Sequence, residues 1–195
     1  MTQTVASTTT TMTPSGLRSL HLIRVVFSLI WVALVFTTSA TLVSTDRPTA
    51  IAAVLLVLYP LWDVIATLLE RRMVGAGSTN RVSTTNVAVG LAATIGMVIA
   101  VFSTIGTALL VFGSWALLAG AIQLVVAIRR WRTVGAQWPM VVSGGLSVLA
   151  GANIALTSTS AGSGLSTVAG YSAVGAFWFL VSVIALSIRG RRARR

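Results

Sequence analysis

Asp63 is the residue of this chain whose type and placement most call for a chemical explanation. It stands in Tyr59-Pro60-Leu61-Trp62-Asp63-Val64, within an otherwise apolar run from about Ala50 to Leu69. Of the three acids in the sequence, Asp46, Asp63 and Glu70, Asp63 alone lies deep in an apolar segment. It precedes Arg71 by eight positions (71 − 63), about 12 Å along a helix. That is close to the middle of a hydrocarbon core about 30 Å thick. A charge at such depth costs about 2.5–3.5 kcal/mol on insertion scales, so the acid must face a bundle interior and find a partner, or be protonated. Two roles follow. Asp63 is a proton or cation site or a gate, or it is a polar lock to a neighbouring helix.

Arg24, near the start of the first apolar run, is the expected basic partner, with Thr67 or a backbone carbonyl as further ones. Glu70 follows Asp63 by seven positions and shares its helix face, at the water boundary. Pro60 frees the carbonyl of Leu56 and predicts a kink able to open a polar pocket three residues before the acid. Gln123 and Asn153 are the only amides at depth and suit interhelical hydrogen bonds. The one histidine, His21, sits at a helix start as an interfacial residue. Small residues recur every four positions at Ser143, Ser147 and Gly151, at Ala92, Gly96 and Ala100, and at Ala116 and Gly120. Such faces let helices approach closely, within one bundle or against a second copy or another membrane protein.

Catalytic patterns are absent. Without cysteine there is no thiol nucleophile or thiolate metal site. The chain contains no HExxH, GxSxG or GxxxxGK[ST]. No enzyme, cofactor or metal is expected.

The elements that must position these groups are read from hydropathy and charge. Hydrophobic residues make up 55% of the chain and charged residues 9%, against about 25% charged in soluble domains. Mean hydropathy is +0.92. Lipid is the solvent this composition suits. Six apolar runs follow one another, at about Leu22–Val43, Ala50–Leu69, Val87–Phe102, Ile105–Ile128, Met140–Thr157 and Val168–Ile188. The third and fourth are too long together for one crossing and predict a hairpin turning at Ser103–Gly106. All fourteen basic residues are arginine. With six crossings, every one except Arg47 falls on the side of both termini, which the positive-inside rule makes cytoplasmic. Topology therefore accounts for the net charge of +11, and a nucleic-acid partner is not expected. The expected organisation is a Thr/Ser-rich disordered cytoplasmic tail over 1–20, a six-helix transmembrane domain over 21–189 and a basic tail over 190–195. Arg189, Arg191, Arg192, Arg194 and Arg195 are placed to contact anionic lipid. A cleaved signal peptide would need a shorter apolar core than the first run offers.

The even-numbered runs end alike, in IATLLERR, QLVVAIRR and VIALSIRGRR. Arg72 and Arg130 are 58 positions apart (130 − 72), and Arg129 and Arg189 are 60 apart (189 − 129). The period predicts an all-α membrane protein of six transmembrane helices, built as three helical-hairpin repeats. With GSWALLAGAIQLVVAIRRWR followed by WPMVVSGGLSVLAGANIAL, residues 20–190 resemble the HdeD-like family. These are small bacterial inner-membrane proteins assembled from short repeats. The resemblance implies a non-enzymatic membrane protein with a stress, acid-resistance or membrane-organising role. The alternatives are a small channel or transporter using Asp63, and an accessory subunit docking through a small-residue face.

Overall fold

The computed structural model describes residues 14–38, 46–74, 81–134 and 138–160, together with helical residues at 168, 170–174, 177, 178, 180, 181 and 184. Five helices are described in full: α1 (Pro14–Thr38), α2 (Ala50–Val74), α3 (Arg81–Ala100), α4 (Ile105–Val134) and α5 (Trp138–Thr157). The helical residues between 168 and 184 form a sixth segment. Among the described residues, four stretches are long and apolar enough to cross a membrane: Ala50–Arg72, Arg81–Ala100, Ile105–Arg129 and Trp138–Thr157. The apolar part of α1, Leu22–Thr37, is shorter. This is the all-helical, apolar architecture of a multi-pass membrane protein.

Local signals set the helix starts. Pro14 opens α1, where a missing N–H costs nothing, so the helix begins inside the stretch expected to be a disordered tail. Thr49 caps α2: its hydroxyl accepts from Ala52 N at 3.3 Å. Thr104 caps α4 in the same way, accepting from Thr107 N at 3.1 Å. The turn at residues 101–104 separates α3 from α4, as the length argument requires. Ile105 N donates to Asp46 O at 2.8 Å, tying this turn to the α1–α2 connection. At the other end Arg71 donates to Ser83 Oγ at 2.7 Å and Thr84 Oγ1 at 3.0 Å. The third helix therefore starts well before the expected Val87.

Successive helices run antiparallel. Arg24 meets Asp63 while Trp31 meets Leu55, and Tyr171 meets Ser147 while Trp138 meets Trp178. The end of the bundle away from the arginine clusters is dry. Trp31, Val35, Leu56, Met97, Leu109 and Phe112 are buried there. The Trp31 indole donates to Leu55 O at 2.8 Å within this layer, so its polar edge is satisfied. The outer faces expose Ile95, Ile99, Phe102, Leu149 and Leu156, an apolar surface that suits lipid rather than water.

The closest helix approach joins α4 to α5. A Cβ at Gly113 would lie 2.5 Å from Ala155 N, one at Gly120 would lie 2.6 Å from Ser147 Cβ, and one at Gly151 would collide with Leu117 N. The hairpin repeat expected from the sequence would put these two helices in different copies, yet the tightest packing joins them.

Candidate functional site: a polar vestibule around Asp63

α1, α2 and α3 bring a charged cluster together in the arginine-side half of the bundle. The Arg24 guanidinium lies 3.7 Å from Asp63 Oδ1 and 3.8 Å from Glu70 Oε2. Both distances exceed the 2.7–2.9 Å of a tight charge-assisted bond, so one cation is shared loosely between two acids. The other Asp63 oxygen, Oδ2, accepts from Asn86 Nδ2 at 3.1 Å, and the same amide donates to Thr67 Oγ1 at 3.1 Å. Three helices are thereby joined through one carboxylate. The expected pairing of Asp63 with Arg24, and the shared face of Asp63 and Glu70, are both present.

A cavity of about 80 Å³ adjoins the cluster. Arg24 and Ser28 line it from α1, Asp63 and Trp62 from α2, Gln123 and Trp115 from α4. Ser143 and Ser147 of α5 and Tyr171 of the sixth segment complete the far wall. The space has room for a few waters, with Asp63, Arg24, Gln123 and the serines as polar partners in a wall that is otherwise apolar. Its upper limit is aromatic. Tyr59 packs on Trp31 (ring centroids 4.4 Å apart), Trp115 (5.7 Å) and Phe112 (5.9 Å), while Phe112 meets Tyr171 edge-on. Above these rings lies the dry core. The vestibule is therefore polar on the arginine side and stopped by apolar packing on the other.

Pro60 is fully buried and sits beneath the rim, with its carbonyl oxygen 3.9 Å from where a Cβ on Gly90 would lie. Gln123 lines the cavity and donates to Met140 O at 3.4 Å, so it joins α4 to α5 as expected of an interhelical amide. Asn153 is not part of this cluster and lines a different cavity. Ser143, Ser147 and Gly120 line the vestibule, and Ser147 and Gly120 also meet in the α4–α5 contact, where Gly151 and Ala116 lie. Ala92 is exposed. A Cβ on Gly96 would make only ordinary contact with Val111, at 3.5 Å. The close approach of α3 to α2 is at Gly90, where a Cβ would lie 2.5 Å from Val64 Cγ2. The arginines from 189 to 195 lie outside the described residues, as does the side chain of His21.

Sequence reasoning passes over Asn86, Tyr59 and Tyr171. Asn86 stands in a Ser/Thr-rich stretch that reads as a loop, and only its place on α3 turns it towards Asp63. Chemically, the site offers a carboxylate, a guanidinium, amides and hydroxyls to a small polar solute or to water. Among the described residues no three His, Asp or Glu side chains gather to hold a metal ion. Comparisons with family models, with curated proteins and with solved structures find no match for this chain.

Proposed function

We propose that this chain is a multi-pass protein of the bacterial inner membrane, with both termini cytoplasmic, that admits a small polar solute to the Asp63 vestibule as a small channel or transporter does. It works without covalent chemistry. The supporting observation is that Asp63 borders a cavity on the arginine side, lined by Arg24, Gln123 and Ser143 as well as by apolar groups, instead of being sealed in its hydrogen bonds. A pure lock would satisfy the carboxylate with Arg24, Asn86 and well-packed neighbours and leave no space beside it. The aromatic layer around Tyr59 closes the opposite half, so passage requires those rings to part. The test is a swelling assay on proteoliposomes with glycerol as the permeating solute. Wild type is expected to exceed empty liposomes, and Asp63→Asn, checked for a monodisperse elution profile, to lose most of the excess. Equal rates for wild-type and empty liposomes remove the proposal.

A second reading rests on the shared endings IATLLERR, QLVVAIRR and VIALSIRGRR and the HdeD-like resemblance they support. It makes the protein a non-enzymatic stress or membrane-organising component, acting alone or as an accessory subunit. Survival of a deletion strain under acid challenge equal to that of its parent counts against it.

A further inference from the structure

A second cavity lies between α5 and the sixth helical segment. Its volume is about 240 Å³, against about 80 Å³ for the vestibule. Leu146, Ala150, Ile154 and Val174 supply its apolar lining. Leu146 and Val174 are also exposed on the outside of the bundle. Exposed apolar side chains on a membrane-length helix face hydrocarbon, so this cavity opens towards lipid. Tyr171 donates to Ser147 Oγ at 3.3 Å, and both residues line the two cavities. That contact is the partition between them.

One lining group is an amide with no partner of its own among the described residues. The Asn153 side chain is exposed on an apolar helix and makes no hydrogen bond among the described residues. Its amide is therefore free to bond a polar group that enters the cavity. It sits four positions before Thr157, the last residue of α5, about 6 Å from the helix end and so close to headgroup level. Among the described lining residues none carries a charge. A phosphate or ammonium head would find no counter-ion among them. The volume is below the roughly 300 Å³ at which drug-sized pockets begin, which suits one chain rather than two.

We infer that the cavity between α5 and the sixth helical segment binds an uncharged single-chain amphiphile drawn from the bilayer. Its hydroxyl or ester head is held at Asn153, and its chain lies along Ala150, Leu146 and Val174. The inference stands on this cavity alone and does not depend on solute flux through the vestibule.

The test uses the full chain in phosphatidylcholine nanodiscs and a monoacylglycerol carrying a diazirine in its chain. Crosslinks are mapped by mass spectrometry and competed with unlabelled monoacylglycerol. Two variants probe the site. A Cβ on Gly170 meets nothing within 4 Å, and Gly170 lines the cavity, so Gly170→Leu fills the space without striking backbone. Asn153→Leu removes the head contact at an exposed position that does not threaten folding, and decides the matter if Gly170→Leu elutes as aggregate. Competable crosslinks on α5 and the sixth segment are expected in wild type and in Asp63→Asn. They should be lost in Gly170→Leu, with half-competition about tenfold weaker in Asn153→Leu, as for one lost hydrogen bond. The inference is overturned if wild type shows no competable crosslink or if Asn153→Leu matches wild type. It is equally overturned if a two-chain diazirine phosphatidylcholine labels the same residues with the same competition.

Discussion

Arg24 is one cation serving two acids, and that imbalance governs what substitutions at the cluster do. Removing it takes the cation from both Asp63 and Glu70 and leaves Asp63 its bond from Asn86. Breaking a fully buried pair by deleting one partner costs about 3–5 kcal/mol. Here the side chains of Arg24 and Asp63 are 16% and 23% exposed and their contact is long, so Arg24→Ala is expected to cost about 1–3 kcal/mol. Adding Asp63→Asn to it should recover part of the loss, because the uncompensated charge is gone. The SDS-unfolding midpoint in mixed micelles reads this coupling, and a double variant that loses the plain sum of the single losses would show that the two residues do not act together. The Asp63–Arg24 pairing was legible in the sequence, since an acid at that depth needs a cation and the short α1–α2 connection brings one close. Asn86 was not. Nothing in Arg-Val-Ser-Thr-Thr-Asn says that its helix has already begun, and the Arg71 bonds to Ser83 and Thr84 that anchor that first turn come from another helix.

Helix pairing depends on glycines whose importance their spacing only partly discloses. Gly144 and Gly145 are adjacent in α5 and look equivalent in sequence. A Cβ on Gly144 would lie 2.9 Å from Leu124 N and 3.0 Å from Gly120 O, while one on Gly145 meets nothing within 4 Å. Gly144→Ala must therefore push α4 away and should destabilise by about 1–3 kcal/mol. Gly145→Ala should be neutral or stabilising by up to about 1 kcal/mol, since it only removes glycine's excess unfolded-state freedom. Unfolding midpoints of the two variants in the same detergent check the contrast, and the opposite order contradicts the packing. The stripe of Ser143, Ser147 and Gly151 was readable as a close-packing face. Yet Ser143 turns to the vestibule and Gly144 takes the contact with α4, a difference of one position, or about 100° around the helix. Periodicity marks a small-residue side of a helix, but the neighbour's ridges choose which of its residues touch.

For the whole molecule, the arginine distribution predicts orientation. The chain has no cysteine, so single-cysteine variants report topology directly. Asp46→Cys, at an exposed position on the connection between α1 and α2, should react with an impermeant maleimide in intact cells. Thr10→Cys should react only after permeabilisation. The reverse pattern inverts the assigned topology, and equal labelling in intact cells would place both segments outside. The all-helical class, the apolar helices and the α3–α4 turn were determined by the sequence alone, because hydropathy and chain length are local and additive along a segment. The vestibule was decided only by tertiary structure. Its walls come from five helices spread from Arg24 to Tyr171, and which of their faces converge depends on helix rotation and close approach at glycines. Asp63 marks the place in the sequence, but the cavity beside it exists only because Arg24, Gln123, Ser147 and Tyr171 arrive there from other helices.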